Sequence, residues 1–269
     1  MDGVAKTSLL TAAMRAAETR RTDHEGRLFN DPYAELLAGD EGTSLLQRAI
    51  AHSGEQPVIA IRTFFIDEKI KKALKEGVRQ IVMLAAGMDT RAYRLSFPEG
   101  TRIFEIDRQE VLDYKKDKLG KTPTHCERTA IAVDLREEWQ NQLVEAGFKS
   151  QEQTLWLVEG LLMYLEESQV MTLMNQINSL SSAKDILIFD ILSCSLLDAP
   201  FMQSQLEFLA SIGAPWKFGT NEPVEMMKKL GWSAQASQAG EVAPTRWPFP
   251  VVPLHIPNVP RGFFIEAQK

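Results

Sequence analysis

From Arg79 onward the chain alternates between short apolar runs and amphipathic segments, and no other feature limits its fold as much. The runs QIVMLA (80–85), RIFEID (102–107), TAIAVD (129–134), TLWLVE (154–159) and DILIFDI (185–191) read as strands. Segments such as VLDYKKDKL, EWQNQLVEA and EESQVMTLMNQINSL lie between them and read as helices. In the last, Val170, Met174, Ile177 and Leu180 form one stripe. Strand–helix alternation at this spacing predicts a mostly parallel sheet with helices on both faces.

The first 75 residues read as helices. TSLLTAAMRAAETRR is rich in good helix formers. Asp31-Pro32 predicts a helix start, with Asp31 as N-cap and Pro32 at the first helical position. A third helix is expected from Val58 to about Glu76, with Gly77 ending it. Near the other end, EPVEMMKKL reads as a helix and residues 232–235 as strand-like. A proline-rich stretch, PFPVVPLHIPNVP, then leads to a closing strand, GFFIEA, expected as an antiparallel partner at one edge. The expected organisation is one domain over 1–269. It comprises a helical cap or lid over 1–78 and an α/β core over 79–269, with a late insertion at about 236–261.

Composition excludes several classes. A net charge of −6 argues against a general nucleic-acid binder. No apolar run of about 18 residues spans a membrane, and the N-terminus carries no signal-peptide pattern. Two distant cysteines, Cys126 and Cys194, read as buried thiols in a reducing, cytoplasmic compartment. The four histidines are scattered, so no metal site is expected.

Open parallel sheets bind ligands beyond the carboxyl ends of their strands. Here those ends are Ala85-Ala86-Gly87, Asp107, Asp134-Leu135 and Glu159-Gly160. Asp107 lies 20 residues past Gly87, the spacing of a carboxylate that accepts both hydroxyls of a ribose. A plain helix N-cap is the competing reading for that aspartate. The loop A-A-G-M-D-T lacks the glycines a pyrophosphate needs. A phosphate-free nucleoside with an amino-acid tail, S-adenosylmethionine, fits better. Tyr114-Lys115-Lys116-Asp117-Lys118 matches a Tyr-x-x-x-Lys dehydrogenase pattern, but it falls too early in the fold and reads as a solvated helix face.

Taken in order, ALKEGVRQIVMLAAGMDTRAYRL, IFEIDRQEVLDYKKDKL, VDLREEW and LWLVEGLLMYL resemble the leucine carboxyl methyltransferase family. RAAETRR…LFNDPYA and IRTFFIDEKI resemble its bacterial branch, often associated with polyketide and other secondary metabolism. The resemblance implies a class I methyltransferase (Rossmann-like) fold, with a mostly parallel seven-stranded sheet, an antiparallel edge strand and added N-terminal helices. It implies S-adenosylmethionine as donor and S-adenosylhomocysteine as product.

By motif, Arg62 matches the arginine that pairs with the cofactor carboxylate, and Ala85 and Gly87 line the amino-acid end. Asp107 would hold the ribose, Asp134 and Leu135 would flank adenine, and Glu159 would sit near the ammonium. Arg15 is either a second carboxylate contact or a helix-surface residue. Tyr164 faces the acceptor or simply packs. Trp216, Phe218, Trp247 and Phe249 are candidates for an apolar acceptor lining, and His255 for a group that reaches the site. One departure stands out: the family usually has Leu-Gly-x-Gly after strand one, and here the first glycine is Ala85. A methyl group there crowds the cofactor or demands a backbone angle that alanine tolerates poorly. The implied reaction is O-methylation of a carboxylate or hydroxyl on a small molecule. The alternatives are a protein C-terminal carboxylate, or cofactor binding without catalysis.

Overall fold

A computed structural model describes all 269 residues. Three helices come first: α1 (Gly3–Thr19), α2 (Ala34–Ser53) and α3 (Val58–Lys75). The alternating region follows as β1 (Gln80–Leu84), α4 (Arg91–Arg94), β2 (Arg102–Asp107), α5 (Gln109–Leu119), β3 (Glu127–Ala132), α6 (Gln140–Glu145), β4 (Thr154–Val158), α7 (Glu167–Leu180) and β5 (Ile186–Leu192). The last third holds α8 (Cys194–Leu197), α9 (Gln203–Ser211), α10 (Pro223–Lys229), β6 (Ser233–Ser237), α11 (Ala239–Val242) and β7 (Gly262–Gln268). The helices α4, α8, α9 and α11 were not legible in the sequence.

The seven strands form one sheet in the order β3-β2-β1-β4-β5-β7-β6. Strands β1 to β5 pair in parallel. The antiparallel edge is made by β7, which slots between β5 and β6 and runs against both. Strand order reverses between β1 and β4, so the ligand crevice is expected beyond their carboxyl ends.

Period-two alternation builds a core on each face of the sheet. Ile81, Met83, Ile103, Leu155, Leu157 and Ile188 point to the face covered by α1 and α3. Val82, Leu84, Phe104, Trp156, Val158 and Phe189 point to the other, with α7 residues Val170, Met174 and Ile177 packed against them. Each such fully buried side chain contributes about 1.5–3 kcal/mol relative to exposure.

Three local expectations are corrected. The second helix starts at Ala34 rather than at Pro32, and Tyr33 precedes it without a side-chain cap. Asp31 still meets the helix entry, its Oδ1 accepting from Tyr33 N at 3.3 Å, while its Oδ2 forms an ion pair with Arg15 at 2.9 Å. Lys115 is not on a solvated face: it is fully buried, with Nζ 2.7 Å from Glu105 Oε2. Its neighbours Lys116, Asp117 and Lys118 are exposed. Cys194 is exposed and Cys126 only half-buried; both are free thiols. No helix is long and apolar enough to cross a membrane.

Candidate active site

Beyond the strand ends lies one cavity of about 1530 Å³. That exceeds the roughly 300–1,000 Å³ of a typical single-ligand pocket, so it has room for two ligands. Arg15, Arg62, Ala85, Gly87, Asp107, Asp134, Leu135, Glu159 and Tyr164 all line it. They come from α1, α3 and the ends of four strands.

At the end of β1 the chain turns through two left-handed residues, Ala85 at φ +54° and Gly87 at φ +46°. The left-handed backbone angle foreseen for Ala85 is present. Gly87 also needs its missing side chain, since a Cβ there would sit 3.0 Å from Ser8 Cβ of α1. The turn is tied to β2 by Asp107, whose Oδ2 accepts from Gly87 N at 2.7 Å and whose Oδ1 accepts from Arg108 N at 2.7 Å. Burial pushes the Asp107 carboxyl above its ordinary range, against the pull of those two amides. Each oxygen still has acceptor capacity for a diol.

Asp134, beyond β3, is more open and is gripped by Arg136, with Nε 2.9 Å from Oδ1. That guanidinium holds the carboxyl below its ordinary range. Leu135 beside it is half-buried.

The deepest part is an ion network. Arg62 reaches from α3 with Nε 2.9 Å from Glu159 Oε1 and Nη1 2.8 Å from Asp190 Oδ2. Arg91 donates from Nη1 to Glu159 Oε2 at 2.7 Å and from Nε to Asp67 Oδ1 at 2.7 Å, and also pairs with Asp89. Arg94 bridges both Asp67 oxygens, and Arg15 pairs with Asp31, whose Oδ2 also takes the Thr90 hydroxyl. Burial alone would raise the Glu159 carboxyl, but Arg91 and Arg62 outweigh it and hold it at about 2. Arg15 and Arg62 are both buried, so Arg15 is not the helix-surface residue that the sequence left open.

Asp31, Asp67, Arg94 and Asp190 were missed from the sequence. They come from distant segments, and no local motif marks them as partners. Tyr164 stands in a short 3-10 turn, half-buried, with no protein partner for its hydroxyl. Trp216, Trp247 and Phe249 line the cavity; Phe218 is buried in the core instead. His255 does not line the cavity, whereas His52, exposed at the end of α2, does. No cluster of His, Cys, Asp and Glu could hold a metal ion.

The sheet order and a crevice lined by strand-end carboxylates at its switch point define a class I methyltransferase. In line with this, a DUF574 family protein from Streptomyces avermitilis superposes with a TM-score of 0.64 at 12% identity, covering 96% of each chain. An O-methyltransferase family protein from Burkholderia thailandensis does so with a TM-score of 0.53 at 11% identity, covering 96% of this chain and 82% of its own. Residues 8–178 match the leucine carboxyl methyltransferase family. A Parafrankia protein named "Putative S-adenosyl-L-methionine-dependent methyltransferase" is 40% identical over 99% of this chain and 87% of its own. A Saccharopolyspora erythraea protein of the same name is 35% identical over 90% and 88%. The chain belongs to the leucine carboxyl methyltransferase family, and S-adenosylmethionine is its methyl donor.

Proposed function

We propose that the protein transfers the methyl group of S-adenosylmethionine to an oxygen of a small-molecule acceptor, a carboxylate in preference to a hydroxyl, in secondary metabolism. The observation that carries this reading is a single cavity shared by donor-type and apolar residues. Strand-end carboxylates and arginines line it together with Tyr164, Trp216, Trp247 and Phe249.

In this reading Arg62 takes the cofactor carboxylate. Its Nε and Nη1 are held by Glu159 and Asp190, while Nη2 has no protein acceptor. Glu159, kept ionised, faces the ammonium, with Arg15 bracing the Met88 carbonyl nearby. Asp107 accepts the ribose hydroxyls, Ala85 and Gly87 pass close to the methionine chain, and Asp134 and Leu135 flank adenine. Methyl transfer is an in-line displacement at an already activated sulfonium carbon, so the protein supplies alignment and desolvation. A carboxylate acceptor needs no general base, and none of the four histidines joins the ion network. The Tyr164 hydroxyl is free to orient the acceptor. The helices over 1–78 and the late insertion act as the lid.

The test is to incubate the protein with methyl-labelled donor and matched aromatic or polyketide-like acids, phenols and alcohols. Base-labile ester on the acids is expected. Label on the phenols alone would move the reading to hydroxyl transfer. Base-labile label on protein would favour a C-terminal carboxylate instead. Binding of S-adenosylhomocysteine with no transfer to any acceptor would leave a cofactor-binding protein without catalysis.

A further inference from the structure

The network around Arg62 contains one carboxylate that neither the sequence motifs nor the proposed donor contacts use. Asp190 follows Phe189 on β5, and Phe189 pairs with Val158, the residue before Glu159 on β4. Two carboxylates, Asp190 buried within β5 and Glu159 half-buried just past the end of β4, therefore stand side by side on neighbouring strands. Like charges placed so close are costly unless a cation bridges them. Arg62 is that bridge, at 2.9 Å to one and 2.8 Å to the other.

The other Asp190 oxygen accepts from Gly160 N at 2.6 Å. This fixes the turn after β4, where Gly160 sits at φ +65°. A Cβ there would lie 3.2 Å from both Arg62 Nη1 and Nη2, so the bare α-carbon forms a floor under the guanidinium. Asp190 does not line the cavity itself, whereas Arg62 does. The geometry points to Asp190 as the positioning residue that seats Arg62 before any ligand arrives, leaving Nη2 as the free donor for an amino-acid carboxylate. A guanidinium fixed in advance loses less freedom on binding, which strengthens recognition of the tail alone. The assignment rests on the reading of Arg62 as partner of the cofactor carboxylate.

Two ligands separate this role from a general structural one. S-adenosylhomocysteine carries the amino-acid tail; 5′-methylthioadenosine has the same nucleoside thioether without it. Calorimetry on the full chain is expected to show that Asp190→Asn weakens the first by about tenfold, the loss typical of one charged hydrogen bond. Binding of the second should stay within about twofold, the scatter expected where no contact is lost. Gly160→Ala, which displaces the guanidinium from the other side, should reproduce the pattern and serves if the Asn variant does not fold. Equal weakening of both ligands, or no change in either, would overturn the role of Asp190. A wild-type protein that binds both ligands equally would instead overturn the reading of Arg62.

Discussion

Ala85 is the residue where sequence and structure press hardest on each other. An L-residue at φ +54° pays a left-handed penalty that glycine avoids. Ala85→Gly is therefore expected to stabilise the protein by about 1 kcal/mol, with cofactor affinity equal or better; a lower melting temperature would show that the angle costs nothing. Asp107 invites a pH experiment. Burial raises its folded-state titration point; in the proposed role ribose hydroxyls would donate to the ionised form, so protonation would oppose binding. Affinity for S-adenosylhomocysteine should hold near neutral pH and fall as the solution is acidified toward that raised point. Asp107→Asn should lose roughly ten- to a hundredfold in affinity and flatten the pH profile. Calorimetry at stepped pH reads both.

Elements are joined here by charge as much as by apolar packing. Lys115 on α5 and Arg128 on β3 converge on Glu105 of β2, which is wholly buried. Removing one partner leaves a charge without compensation, so Lys115→Met should cost about 3–5 kcal/mol in denaturant unfolding. A loss below 1 kcal/mol would mean that Arg128 alone satisfies Glu105. Glu159 links α3, α4 and β4 in the same way. Its carboxyl is held near 2 when folded against an ordinary 4.5. A depressed acid stabilises the fold above its unfolded value, and the contribution disappears as pH falls from about 4.5 to 2. Glu159→Gln should accordingly flatten the acid limb of a stability–pH curve relative to wild type. The elements themselves were largely legible: all five parallel strands lie within two residues of the apolar runs that predicted them. Their burial was not. Period alone put Lys115 among exposed neighbours, because sequence cannot show that Glu105 waits beneath it.

Across the whole molecule the cavity joins α1, α3, four strand ends and the late insertion, so filling it couples distant parts of the chain. Excess S-adenosylhomocysteine at about a hundred times its dissociation constant should add about 2.7 kcal/mol to stability, a rise of several degrees in melting temperature. No shift would argue that the folded protein does not bind this ligand in preference to the unfolded chain. The strand ends that meet at this cavity could be named from the sequence because the rule that places them is local: a parallel strand ends, a turn follows, and the turn faces the crevice. The brace around them could not be named. Asp31, Asp67, Arg94 and Asp190 lie up to 159 residues apart in the chain and meet only after the helices close on the sheet.

The sequence by itself determined the strands, their parallel sense, the family and the ligand face, since hydrophobic period and turn chemistry act over a few residues at a time. Only the tertiary structure decided that β7 would enter between β5 and β6, and that Asp31 would pair with Arg15 as well as meet a helix end. It also decided that Arg62 would be held by Glu159 and Asp190. Each of those choices is a competition for a buried partner, and burial exists only once the chain has folded.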